Sequence, residues 1–176
     1  TAALAHQSLT LHQTFHFTDA CAVDGSLLPS AHRGHSGSAA WAVWRGVHDD
    51  GRLDAQGGAL PVNSTIADAE MVAIHACMAT ADAAWDRSNS MAPKLLILTD
   101  CTAAALAVQR ALQTGDATRL YKQHRETLLE RICLLYSSWR AMGGDLVVQW
   151  VPAHAGVAPN HYADVVAKAY VNRAIA

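Results

Sequence analysis

LVVQWVPAHAGVAPNHYADVVAKA, residues 146–169, decides the fold. Leu146, Val147, Val148, Trp150 and Val151 make a short apolar, β-branched and aromatic run, which predicts a buried strand. Pro152, Gly156 and Pro159 interrupt it, and Asn160 or a neighbour caps the helix expected to follow. That helix returns Asp164 towards the loop carrying His154. An acid and a histidine ten residues apart carry little weight alone. Their meaning depends on what precedes them.

Upstream, Thr14–Thr18 alternates, with Phe15 and Phe17 on one face, and predicts a first strand ending at Asp19; residues 24–38 (DGSLLPSAHRGHSGS) predict a long turn. Residues 39–47 predict a second strand, Asp49-Asp50-Gly51 a hairpin, and residues 52–61 a third strand weakened by Gly57 and Gly58. Ala67, Met71, Ile74, Met78, Ala81 and Trp85 then recur at steps of three and four, so residues 66–85 predict a helix. Lys94–Thr99 is a short buried strand ending at Asp100. Helices follow over 102–112 and 118–142, the second stopped by Gly143-Gly144. The order β-β-β-α-β-α-α-β-α predicts one α/β domain, with three antiparallel strands and then two parallel ones in a five-stranded mixed sheet, and helices on both faces. Residues 1–13 are read as a loose leader to a domain spanning 14–176.

At 176 residues and 51% hydrophobic content, the chain can bury one full core. No apolar run is long enough to span a membrane. Cys21, Cys77, Cys101 and Cys133 are scattered without a CxxC pair, which argues against a disulfide framework or zinc knuckle and for a reducing compartment. The expected location is intracellular, nuclear or cytoplasmic, and not secreted. A net charge of −2 lacks the basic surplus usual in nucleic-acid binders. There is neither a GxSxG nor a P-loop, so a nucleophilic hydrolase or a nucleotide-cradling enzyme is not indicated.

Four acids carry the chemistry. Asp19 and Asp100 are expected at strand ends, where open α/β sheets bind ligands, and Glu70 and Asp164 in early helical turns facing the same rim. Four converging carboxylates without a basic partner repel one another unless hard divalent cations join them, and Mg²⁺ is the natural choice. Two such ions, roughly 3.5–4 Å apart, form the clamp used for in-line phosphodiester displacement.

FTDACA around Asp19, ADAEMVAI around Glu70, LTDCTAAAL around Asp100 and VPAHAGVAPNHYADVVAKA around His154 and Asp164 resemble type 1 ribonuclease H, in the family's order, over residues 14–172. The resemblance implies a ribonuclease H fold with Asp19, Glu70, Asp100 and Asp164 as metal ligands. It implies two Mg²⁺ ions, with Mn²⁺ as a substitute, and gives His154 a part in proton transfer or product release. Asn63-Ser64-Thr65 ahead of Ala69-Glu70, and the HAGV loop with Asn160, are similar to the ribonuclease H domain of non-LTR retrotransposon reverse transcriptases. The first residue, Thr1, fits a piece of a longer polyprotein, so a reverse transcriptase domain in the same parent polypeptide is an expected partner alongside RNA/DNA hybrid.

The chain departs from the family in places. Ala20 follows Asp19 and Ala153 precedes His154, where many relatives have glycine, and His161 stands where many have glutamate. Ile66 and Ala67 replace polar residues that touch the minor groove, leaving backbone groups or Ser64 and Thr65 to meet the 2′-hydroxyls, with Asn160 as a further candidate contact. The interval 112–118 is too short for a basic, hybrid-gripping protrusion.

Blander readings cover most other residues. An Asp at a strand end is commonly a turn former, and Asp68 reads as charge at a helix N-terminus, since a two-residue step does not share a face with Glu70. His32 and His35 read as a solvated turn, His75 and His124 as packed histidines, Trp41, Trp44, Trp139 and Trp150 as core, and Arg119, Lys122 and Arg125 as a solvated helix face. The expected activity is metal-dependent endonucleolytic cleavage of the RNA strand of RNA/DNA hybrids. A non-catalytic scaffold of the same fold, or a transposase-type enzyme, is the alternative.

Overall fold

The computed structural model describes residues 19–28, 38–61, 63–88, 91–115, 123–153 and 156–173. The elements, in order, are β1 (Asp19–Leu28), β2 (Ser38–Val47), β3 (Leu53–Ala59), α1 (Ile66–Ala84), β4 (Lys94–Thr99), α2 (Thr102–Thr114), α3 (Gln123–Ala141), β5 (Asp145–Trp150) and α4 (Ala158–Arg173). The sheet order is β3-β2-β1-β4-β5. β1–β2 and β2–β3 pair antiparallel; β1–β4 and β4–β5 pair parallel. This is the expected architecture.

One element is corrected. The expected first strand at Thr14–Thr18 lies outside the described residues, and the strand that enters the sheet begins at Asp19 and runs to Leu28. Asp24-Gly25-Ser26 has turn chemistry, yet its pairing with Ala42, Trp41 and Ala40 of β2 holds it extended. Tertiary pairing overrides local preference in a central strand. Ala20–Val23, a run of small and apolar residues, suits a strand covered on both faces better than an alternating one.

Those two faces are built from alternate residues. Cys21 and Val23 of β1, Val43, Leu95, Ile97, Leu146 and Val148 pack beneath α1, α2 and α3. Ala22, Leu96 and Leu98 face α4 through Val157 and Ala163. Gly57 does more than weaken β3. A Cβ there would lie 2.7 Å from the Tyr170 ring and 2.6 Å from the Trp41 carbonyl, so its lack of a side chain lets α4 approach. Trp139 is fully buried and donates from Nε1 to Asp82 Oδ1 at 2.9 Å, whereas Trp150 is 40% exposed at the sheet rim rather than core. His75 is half-buried; burial, with Arg131 adding to it, holds its pKa below the usual histidine value.

Local signals set the helix ends. Thr65 caps α1, its hydroxyl accepting from the Asp68 N–H at 3.2 Å while the Asp68 carboxylate takes the Thr65 N–H at 2.7 Å. Asp68 is thus the helix N-terminal charge that was expected, and it is buried. α3 stops at a Schellman turn: Gly143 takes a positive φ of 78°, and Gly144 N–H returns to Trp139 O. Cys21 and Cys77 join β1 to α1 as a disulfide, correcting the expectation of unpaired cysteines; Cys101 and Cys133 are free. Spacing along the chain does not reveal that these two elements pack face to face. His32, His35, Arg119 and Lys122, and the side chains of His124 and Arg125, lie outside the described residues.

Candidate active site

The site forms where β4 ends and its parallel pairing with β1 stops, beneath the start of α1. Parallel pairing sets Ala22 beside Leu98, so two residues further on Asp24 is level with Asp100. Gly25 makes the closure possible. A Cβ there would lie 2.8 Å from both Ala69 Cβ and Ile66 O, so the first turn of α1 rests directly on β1. Glu70, on that turn, is fully buried. Its Oε1 accepts from the Gly25 N–H and its Oε2 from the Thr99 hydroxyl, each at 2.8 Å. Thr99 is itself oriented by the Cys101 N–H, which donates to its Oγ1 at 3.1 Å.

Oxygens of Asp24, Glu70 and Asp100 lie within 4.8 Å of one another. Asp24 is pushed up to about 7, first by burial and then by the Asp100 and Asp164 carboxylates, against the opposing effect of hydrogen bonds at Glu70 and Gly25. Glu70 is raised well above the carboxylate range, again by burial first and by Asp24 next, with the Thr99 bond opposing. Three converging carboxylates, two of them buried with raised pKa values and Asp100 half-buried, are the donor set of a hard divalent cation, whose charge would remove the repulsion.

A cleft of about 210 Å³ continues the site towards α4, lined by Asp100, Pro152, Val157, Asn160, His161 and Asp164 among others. Asp164 Oδ2 accepts from Lys168 Nζ at 2.8 Å, one helical turn on, and this bond raises the lysine pKa.

Of the expected residues, Glu70 and Asp100 converge, and Asp164 borders the same cleft. Asp19 does not join them. It begins β1, beside Leu95, five residues before Asp24 and so about 16 Å away along an extended strand. Asp24 takes its place, and the sequence reading assigned that residue to a turn. The signal for it was the glycine missing after Asp19, which Asp24-Gly25 supplies. His154 lies outside the described residues, although Pro152 and Gly156 on either side line the cleft. Thr65 is occupied as the α1 cap, with Ser64 half-buried beside it. Asn160, expected to touch substrate, is buried and bonded to Asp100.

A cluster of acids beside the carboxyl end of β4 in an α/β sheet, with an adjoining cleft, is a place where such sheets bind ligands and where a divalent cation can be held. Residues 17–172 match the family model described as RNase H, and the chain belongs to the RNase H family. Its fold is similar to that of the prototype foamy virus protease–reverse transcriptase, at 16% identity and a TM-score of 0.66, covering 89% of this chain and 21% of that one. It is similar also to the PFV RNase H domain solved in solution, at 16% identity and a TM-score of 0.64, covering 89% and 95%. A third is LC11-RNase H1, from a compost metagenome, in complex with RNA/DNA hybrid, at 15% identity and a TM-score of 0.61, covering 89% and 99%. The chain thus spans about a fifth of the foamy virus polypeptide. No curated protein sequence matches it. Among the described residues, no helix is long and apolar enough to cross a membrane.

Proposed function

We propose that this domain hydrolyses the RNA strand of RNA/DNA hybrids with divalent cations held by Asp24, Glu70 and Asp100. The observation that carries the reading is the convergence of those three carboxylates, two of them with raised pKa values, inside a chain of the RNase H family. Bound Mg²⁺ supplies an activated water and neutralises the charge that develops on the leaving 3′ oxygen. The protein's own contribution is placement. Gly25 N–H and the Thr99 hydroxyl fix both oxygens of Glu70, and Asn160 fixes one of Asp100. Asp164, across the cleft and steered by Lys168, offers a fourth carboxylate for a second ion. His154 moves a proton or assists product release, the part that the resemblance to ribonuclease H implies for it. Ser64, beside the α1 N-terminus, meets the 2′-hydroxyl that separates RNA from DNA. Mn²⁺ substitutes for Mg²⁺ at the same oxygens.

The domain works inside a longer polypeptide with a reverse transcriptase. The likeness to a viral protease–reverse transcriptase supports the pairing. The Asn63-Ser64-Thr65 and HAGV segments favour a non-LTR retrotransposon as the parent.

The test is a labelled RNA/DNA hybrid incubated with the domain in Mg²⁺ and in Mn²⁺, beside Asp100→Asn. Single-stranded RNA, duplex RNA and duplex DNA are the controls. Cleavage restricted to the hybrid's RNA strand and abolished in the variant is expected. A folded domain that cuts nothing under either metal, alone or rejoined to its polymerase, would leave a scaffold of the same fold.

A further inference from the structure

Asn160 occupies the first turn of α4 and is 4% exposed, although it borders the cleft. Its Nδ2 donates to Asp100 Oδ2 at 3.1 Å, across 60 residues of sequence. Its Oδ1 is buried with no hydrogen-bond partner among the described residues. A side chain kept only for packing would be apolar here, because leucine has similar bulk and orphans nothing. The opposite amide orientation would set Oδ1 against a carboxylate oxygen, acceptor on acceptor, so the bond to Asp100 also fixes which way the amide points. Burial this deep keeps both amide atoms away from a nucleic-acid strand in the cleft.

We propose that Asn160 is a positioning residue for the cation site and not a substrate contact. Its amide ties one Asp100 oxygen to α4, which leaves the other oxygen to face those of Asp24 and Glu70. Because the same helix carries Asp164, the bond also sets the distance between the fourth acid and the other three. The proposal rests on the reading that these acids bind a divalent cation.

The decisive measurement is Mn²⁺ binding by electron paramagnetic resonance, on metal-free protein without nucleic acid, comparing wild type with Asn160→Leu and Asn160→Ala. Both variants are expected to bind Mn²⁺ about ten- to a hundredfold more weakly, as is usual when a ligand loses its supporting hydrogen bond. Asn160→Leu should melt no lower than wild type, since it removes the orphaned acceptor. The Mg²⁺ concentration for half-maximal cleavage should rise with KM for hybrid at saturating Mg²⁺ unchanged. Should neither variant fold, the wild-type side-chain amide resonances of Asn160 answer instead: they should shift on adding Mg²⁺ alone, and immobile resonances overturn the proposal. Mn²⁺ affinity within twofold of wild type overturns it too, and so does a raised hybrid KM at unchanged Mn²⁺ affinity. Hybrid cleavage by wild type beside an unaltered Mn²⁺ affinity in Asn160→Leu removes this inference and leaves the proposed function standing. A wild type that binds no Mn²⁺ overturns both.

Discussion

β1 presents two aspartates, one at its start and one in its middle. At the start, Asp19 is exposed, lies beside Leu95 and accepts a hydrogen bond from the N–H of its own neighbour Ala20 at 2.8 Å. In mid-strand, Asp24 is 6% exposed, level with Asp100 and roofed by the first turn of α1 through Gly25. Residue type and strand are the same, yet it is Asp24 that converges with Glu70 and Asp100. What separates them is the company that the sheet register and one helix contact bring. The largest effect should therefore fall on Asp24→Asn, which keeps the shape and removes the charge. Single-turnover hybrid cleavage in saturating Mg²⁺ should drop about a thousandfold or more, as for other groups that stabilise charge in the transition state. A loss below tenfold would break the distinction between the two aspartates.

Glycines sharpen the same contrast. Gly25→Ala forces a methyl group into Ala69 and the Ile66 carbonyl, so α1 must lift and carry Glu70 away from the Gly25 N–H. Overpacking of that kind costs about 1–3 kcal/mol. In a domain of this size the melting temperature should fall by roughly 2–10 °C, and cleavage should fall with it. Gly46, on β2, has nothing within 4 Å of the position a Cβ would take. Gly46→Ala should hold or raise the melting temperature, by at most about 1 kcal/mol in stability. Equal losses at both glycines would mean that strand glycines here serve β-structure generally and not the approach of α1.

The strands and helices from residue 38 onward were legible because periodicity and punctuation are local: KLLILT reads as a buried strand, and Gly143-Gly144 as a helix stop. The failure at β1 has a different origin. Asp-Gly-Ser reads as a turn because its chemistry favours one, and nothing local states that β2 holds it straight. Glu70 and Asp100 were legible from their elements, since a strand end and an early helical turn fix where a carboxylate points. Asn160 was visible as a polar residue at a helix start, but its burial against Asp100 depends on how α4 seats on the sheet. The Cys21–Cys77 pair shares that dependence, needing β1 and α1 stacked before it exists.

The electrostatic strain around Asp24 should show as a pH dependence of stability. Asp24 and Glu70 both have folded pKa values above their reference values of 3.8 and 4.5. The folded state therefore holds their protons more tightly than the unfolded chain does. Their stabilising contribution is fully present below about pH 4 and is lost as pH rises through about 7, where the Asp24 pKa lies. In metal-free protein the melting temperature should fall between pH 5 and pH 8, by the equivalent of about 1–3 kcal/mol after allowance for coupling between the two acids. Mg²⁺ should restore more stability at pH 8 than at pH 5, because it supplies the charge that protons supply in acid. Asp24→Asn should flatten the metal-free profile. A melting temperature insensitive to Mg²⁺ at both pH values would dissociate the raised pKa values from cation binding.

The smallest effect belongs to Asp19→Asn, and its smallness carries information. The side chain is exposed and about 16 Å along the strand from Asp24, well beyond the Debye length of about 8 Å at physiological salt. Its bond to the Ala20 N–H survives as an amide oxygen accepting the same proton. Cleavage should stay within twofold of wild type and the melting temperature within about 1 °C, as for most surface substitutions away from special features. A loss approaching that of Asp24→Asn would contradict the register of β1 against β4, since no five-residue stretch of extended chain places both acids on one cation. Parallel assays of the two asparagine variants therefore test the sheet register as directly as they test the chemistry, because the register is what gives one acid its partners and leaves the other in solvent.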